Sequence, residues 1–361
     1  MTENDFRFTA ITPLPAMGAV TWQSPSNIAL VKYWGKYGNQ MPANPSLSFT
    51  LSHCHTKTTL RYSKSETVGK EIEFDILLDG VAVPDFKPKV AQFFERILPY
   101  CPYVGQYSYT IETSNSFPHS SGIASSASGM SALALCVLSI EREMRPEMTD
   151  DYFYDKASFL ARLGSGSACR SILGPLVVWG QHTDIPNSDQ LLGSVYPFEV
   201  HEVFANFQDT ILLVDKGEKQ VSSTVGHGLM NGHAFAKARF EQAPKNISAL
   251  TDILKSGDLD GFIALVESEA LTLHAMMMSS HPYFILMKPN TLEIINAIWA
   301  FRKETGIKLC FTLDAGANVH LLYPKNVAGQ VLTFVSDTLA AFCKNGEYIN
   351  DEVGLGAKQL A

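Results

Sequence analysis

The chain has no C-x-x-C pair: its six cysteines (Cys54, Cys101, Cys136, Cys169, Cys310 and Cys343) are scattered over 361 residues. That scatter excludes a disulfide framework and a cysteine-rich zinc site, and leaves the reduced thiols of a cytoplasmic protein as the expectation. No window approaches about 18 uninterrupted apolar residues, so no transmembrane helix is expected. The opening Met1-Thr-Glu-Asn-Asp is polar and acidic, the wrong start for a signal peptide. Positive charge is in deficit, with 28 Lys and Arg against 36 Asp and Glu and a net charge of −8. This argues against nucleic acid or an anionic membrane as the main partner, and any cationic site must be local. There is no internal repeat, no Gly-Lys-Ser/Thr of a Walker A loop and no spaced G-x-G-x-x-G. His53 and His55 share one face of a strand, but no third ligand stands at metal-like spacing, so they read as surface histidines.

A chain of this length that is 46% hydrophobic can bury two cores. Asn27–Val31, Ser48–Leu51, Thr58–Tyr62, Glu71–Leu78, Tyr107–Thr113, Leu176–Trp179, Ile211–Val214 and Lys308–Leu313 read as strands. Asp79-Gly80 is a hairpin-type turn. Helices are expected at Lys87–Leu98, Ala124–Ile140, Phe235–Gln242, Leu259–Met278, Thr291–Thr305 and Val327–Phe342, and Thr183–Gly193 is a polar loop. Strands and helices mix without strict alternation, which favours an α+β or irregular α/β fold over a doubly wound sheet, with α+β taken as the expectation.

Four segments carry candidate chemistry. In Asn27-Ile-Ala-Leu-Val-Lys-Tyr-Trp-Gly-Lys36, two lysines follow an apolar strand, and Lys32 and Lys36 cost several kcal/mol there unless an anion faces them. The Ser/Gly loop from Ser114 to Gly129 feeds a small-residue helix; it is either an anion cradle or a flexible connector. In Gly164-Ser-Gly-Ser-Ala-Cys-Arg170-Ser171, open backbone and an arginine fork suit a carboxylate or phosphate, the alternative being a helix end with a surface arginine. Asp314, entering Ala315-Gly316 after an apolar strand, is either an N-cap or a carboxylate at the mouth of a cleft.

Together these segments resemble the diphosphomevalonate decarboxylase family of the GHMP kinase superfamily. The matching text is NIALVKYWGK at Asn27–Lys36, FPHSSGIASSASG at Phe117–Gly129, GSGSACRS at Gly164–Ser171, VSST at Val221–Thr224 and LDAGAN at Leu313–Asn318. The resemblance implies a two-domain GHMP kinase fold with one cleft, residues 1–195 carrying the phosphate loop and residues 196–361 the catalytic aspartate. It implies ATP and magnesium, a homodimer, and decarboxylation of a phosphorylated mevalonate. Asp314, Lys32 and Arg170 would then be catalytic. Asn27 would join Arg170 on the substrate carboxylate, while Tyr33, Lys36, Ser165 and Ser167 hold its diphosphate. Ser121, Gly122, Ile123, Ala124, Ser125 and Ser126 would carry ATP, with Ser126 on magnesium. Three departures from the family's wording bear on substrate detail: Pro118-His119-Ser120-Ser121-Gly122 before the phosphate helix, Pro45 after Asn44, and Ser116 before Phe117. The alternatives are a mevalonate 5-phosphate substrate, or a related kinase that does not decarboxylate.

Overall fold

The computed structural model of the chain describes all residues except 10–12, 66–71, 119–122, 217–222 and 361. Its backbone is organised by one long antiparallel pair. Strand β1 (Met17–Val31) leads through the small ribbon of β2 (Lys36–Tyr37) and β3 (Met41–Pro42) into β4 (Ser46–Lys64). β1 and β4 pair from Met17↔Ser63 to Val31↔Leu47, with register shifts at Pro25/Asn27 and Ala29/Val31. The sequence pattern shows only fragments of these strands. Pro25 and the shifts interrupt the two-residue alternation at the point where bulges bend the ladder.

β5 (Phe74–Leu78) and β6 (Val81–Ala82) form the expected hairpin, with Asp79 and Gly80 both at positive φ, 51° and 81°. α1 (Lys87–Ile97) and β7 (Tyr107–Asn115) follow. α2 (Ser125–Met144) and α3 (Asp150–Gly164) then pack on the first sheet beside α1. α3 has no counterpart in the sequence reading. Its start is capped by Thr149, whose hydroxyl accepts the Tyr152 N–H at 3.3 Å, and is followed by Asp150 and Asp151 in the first turn. β8 (Leu176–Trp179) and β9 (Gly193–Val195) extend the sheet from β4.

The second half is built on β10 (Gln208–Leu212), β11 (Cys310–Thr312), β12 (Val319–Tyr323) and β13 (Tyr348–Glu352), in the order β11-β12-β10-β13. The short α4 (Glu202–Ala205) and α5 (Ser223–Gly228) precede α6 (Ala236–Ser256), α7 (Leu259–Met278), α8 (Pro289–Thr305) and α9 (Ala328–Asp337). α6 runs well past the expected Gln242, through Pro244, because Ala243, Ile247, Leu250 and Leu254 continue a buried stripe. α7 has the length and mean hydropathy of a membrane span. Yet it buries Glu267, Glu269 and His274 against protein partners, as a core helix does. Finally β14 (Lys358–Leu360) returns to the first sheet and pairs with β1 at Thr21–Gln23.

The result is the expected mixed α and β fold in two domains. One core lies between the first sheet and α1–α3, and another between the second sheet and α8–α9. A third joins the halves, packing Ile28, Leu30 and Phe49 with Ile211, Leu250 and Phe262. All six cysteines are free and buried.

Candidate active site

β1 ends at Val31, so the Lys32 peptide has left the sheet ladder while its side chain stays buried, 2% exposed. Its Nζ crosses to Asp314 Oδ1 at 3.0 Å. Asp314 lies in the turn between β11 and β12, where its carbonyl accepts the Gly316 N–H at 2.7 Å. No helix follows that turn, so Asp314 is not an N-cap; it is the carboxylate facing the buried ammonium. Burial pushes the Lys32 pKa down, and Asp314 and then Glu269 push it back up.

Arg170 is likewise not a surface residue. It is 3% exposed at the end of a 3₁₀ turn, Gly166–Ser171. Its Nε donates to Asn27 Oδ1 at 3.3 Å and its Nη1 to Ser46 Oγ, while Nη2 has no hydrogen-bond partner among the described residues. Asn27 spends its amide hydrogens on Ser167 O (3.2 Å) and Ser171 Oγ (2.7 Å). It therefore holds the arginine in place, with the free edge of the guanidinium left for a ligand. The charges of Arg170, Asp314 and Lys32 reach one another.

Lys36, Tyr33, Ser165 and Ser126 form the adjoining wall. Lys36 Nζ bonds the neutral Gln40 side chain at 2.8 Å, and burial followed by the nearby Arg96 cation lowers its pKa. Arg96 in turn donates to Leu163 O at 2.8 Å, tying α1 to the end of α3. Two cations beside a neutral amide make a place for an anion. The Tyr33 ring stands edge-on to Trp179 at 4.6 Å, and its buried hydroxyl has no partner among the described residues. Burial raises the Tyr33 pKa, so the phenol remains a donor. A Cβ on Gly166 would come within 2.7 Å of Trp179 and 2.9 Å of that hydroxyl, so only glycine lets the 3₁₀ turn approach so closely. Ser165 Oγ lies 3.4 Å from Ser126 Oγ, at the N-terminus of α2, bringing two of the sequence motifs into contact. Ala124 precedes α2 in the left-handed region, and Ser125 is half-buried. Ser121, Gly122, His119 and Ser120 lie outside the described residues, as do Val221 and Ser222. A surface hollow of about 1580 Å³ lies elsewhere, between β5 and α1 near Phe74, Lys87 and Glu95, and contains none of these groups.

Several residues escaped sequence reasoning. Glu269 and Arg239 pair through both carboxylate oxygens, at 2.7 Å each, beside Lys32. A glutamate inside an apolar helix was the available signal for Glu269. His274 Nε2 donates to Asp314 O at 3.1 Å. His227 accepts the Gly35 N–H on Nδ1 at 2.9 Å, with its ring 4.2 Å from Tyr33 and 4.6 Å from Trp34.

Burial pushes His227 down from its ordinary 6.5 to about 3 and His274 to about 4. Lys36 and Arg170 add to the effect at His227. Between 6.5 and these values the unfolded chain binds protons that the folded chain refuses. Stability therefore falls with acidification by about 1.4 kcal/mol per pH unit for each histidine. Thermal melts between pH 7 and pH 5 should show the loss, and His227→Asn should have a shallower slope than the parent. An identical slope would count against the buried, neutral assignment of His227.

Residues 24–191 match the family model described as the diphosphomevalonate decarboxylase-like N-terminal domain, and residues 210–357 that of the mevalonate 5-diphosphate decarboxylase C-terminal domain. The diphosphomevalonate decarboxylase of Ganoderma lucidum is 28% identical, over 93% of this chain and 84% of that protein. A structure described as MDDEF in complex with MVAPP, AMPPCP and magnesium is 26% identical with a TM-score of 0.81, over 96% of this chain and 99% of the other. A structure of the mevalonate diphosphate decarboxylase from Enterococcus faecalis, on its mevalonate diphosphate mediated ATP binding, gives 26% and 0.80 over the same shares.

Proposed function

The chain belongs to the diphosphomevalonate decarboxylase family, and on that premise we propose the reaction of this site and the parts its residues play. Mevalonate 5-diphosphate and ATP give isopentenyl diphosphate, ADP, phosphate and carbon dioxide. The observation that carries the assignment is the contact of the buried Lys32 ammonium with Asp314 at 3.0 Å, beside an arginine whose Nη2 has no partner among the described residues. A simple kinase has no need to grip a carboxylate.

Asp314 orients the tertiary hydroxyl and takes its proton as the oxygen attacks the γ-phosphorus of ATP, and ADP departs with the electrons of the broken P–O bond. The new phosphate then leaves with the electrons of the C–O bond. The carboxylate's C–C bond breaks, its electron pair forms the alkene, and carbon dioxide is released. Lys32 offsets the charge that develops at the transferring group and keeps Asp314 ionised. Arg170, held by Asn27 and Ser46, keeps the carboxylate in place until it leaves. Tyr33, Lys36, Ser165 and Ser167 hold the diphosphate, with Arg96 adding to the field. The orphaned Tyr33 hydroxyl is the donor such an anion would satisfy.

Ser125, Ser126, Ile123 and Ala124, with the first-turn N–H groups of α2, suit the phosphates of ATP. Among the described residues no three His, Cys, Asp or Glu side chains converge. That donor set fits magnesium held by phosphate oxygens, water and the Ser126 hydroxyl, where the ion would neutralise phosphate charge. Ser121 and Gly122 remain part of this proposed ATP site. The proposal includes the domain division at residue 195, in the interval between the two family-model matches. It also includes a cytoplasmic homodimer, for which the buried free thiols fit a reducing compartment.

Incubation with ATP, magnesium and mevalonate 5-diphosphate should release ADP and carbon dioxide in equal amounts. ADP without carbon dioxide would make the protein a kinase only. Carbon dioxide obtained solely from mevalonate 5-phosphate would reassign the substrate.

A further inference from the structure

Lys32 has a buried peptide group that no strand satisfies, since β1 stops one residue earlier. Two of its three hydrogen bonds come from the second domain and one from Asn44 of the first. The N–H donates to Glu269 Oε2 at 2.8 Å, and the carbonyl accepts from Arg239 Nη2 at 2.8 Å and from Asn44 Nδ2 at 2.9 Å. Glu269 also accepts from both terminal nitrogens of Arg239 and from Asn246, so its carboxylate is fully engaged. A buried ion pair adds little net stability over an apolar pair of similar volume, but its geometry is strict. Five positions along the same helix, roughly 7.5 Å up its axis, His274 donates to the backbone carbonyl of Asp314. α7 packs against both β1 and β11, the strands that lead into these two residues.

We infer that α7 is a yoke that sets the spacing of the reacting pair, Glu269 fixing the backbone of Lys32 and His274 the backbone of Asp314. Both are positioning residues, since each acts through another group. The inference rests on the proposed roles of Lys32 and Asp314. It adds that their geometry is imposed by one helix of the second domain. The charged groups around Lys32 are Asp314 from the β11–β12 turn, Glu269 from α7 and Arg170 from the 3₁₀ turn. Arg239 from α6 is paired with Glu269, Asp209 in β10 also feels the Lys32 charge, and neutral His274 completes the shell.

The test uses His274→Leu, His274→Gln and Glu269→Gln in the full chain, each taken forward at matched folded fraction by thermal melt. Gln at 274 carries an N–H donor close to the position of imidazole Nε2. His274→Leu should lower kcat at least about 10-fold with KM for both substrates within about threefold, and His274→Gln should restore most of the rate. Glu269→Gln removes a carboxylate that supports the charge on Lys32, so the basic limb of its kcat–pH profile should move to lower pH, by about half a unit or more. Crystal structures of the variants report the Lys32–Asp314 distance without any turnover. It should lengthen from 3.0 Å in His274→Leu and not in His274→Gln. Unchanged distances in His274→Leu and Glu269→Gln, or rates that follow folded fraction with an unmoved basic limb, would overturn the yoke. If the parent released no carbon dioxide, the proposed reaction would fail, while the distances would still decide the yoke.

Discussion

Asp314→Asn is expected to lower kcat at least about 100-fold, the scale of a positioned general base, while nucleotide binding changes little. Two losses coincide in this variant. The amide cannot take the proton of the tertiary hydroxyl, and the Lys32 ammonium loses the first of the anions that hold its charge against burial. A buried cation without its partner gives up its proton, so the transferring phosphoryl group would lose its electrostatic support as well. Single-turnover measurements, with ATP binding followed separately by calorimetry, distinguish this from a folding defect. A variant that turns over within a few-fold of the parent would remove Asp314 from the chemical step.

Arg170→Lys is expected to cost about 30-fold in kcat/KM for the phosphorylated substrate, on the order of 2 kcal/mol, typical of hydrogen bonds to a charged group. The guanidinium serves three directions at once. Nε faces Asn27, Nη1 faces Ser46, and Nη2 is open to the ligand. A lysine ammonium keeps the charge but cannot span that fork, so either the two scaffold acceptors or the substrate carboxylate goes unserved. Steady-state kinetics at saturating ATP measure the loss. The parent value in this variant would mean that charge alone suffices and that the fork is not what holds the carboxylate.

Both predictions concern residues legible in the bare sequence, because a charge beside apolar, glycine-rich text is costly and therefore conspicuous. Lys32 stands out by itself, whereas Arg170 and Asp314 read singly as a surface arginine and an N-cap, and it is the motif wording taken together that points to a family. The supports around them do not stand out. Glu269 and Lys32 are 237 positions apart, and nothing local in either segment announces the pairing. Asn27 looked like a ligand group and proved to have its amide hydrogens committed to the 3₁₀ turn. Among the elements, the expected bounds of α7 match the structure because its sequence is mostly apolar, with only a few charged residues, whereas only fragments of β1 and β4 show in the pattern. Tertiary pairing across bulges, rather than local pattern, holds those strands together. Helix α6 runs past the expected end at Gln242 and through Pro244 because a buried stripe, not local punctuation, sets its length.

The return of β14 to β1 has a consequence for how the protein can be assembled. Thr21–Gln23 in β1 and its neighbour on that side, Lys358–Leu360, are separated by the whole of the second domain's sequence. The first sheet keeps that stretch of backbone donors and acceptors unmatched by protein until the second domain's sequence has been made. The pairing also denies the two domains independent lives. A cut between β9 and β10 would strand β14 on the wrong fragment and leave β1 with an edge that invites another chain. Genetic fusion, splitting or domain exchange in this protein must therefore carry β14 along with the first domain.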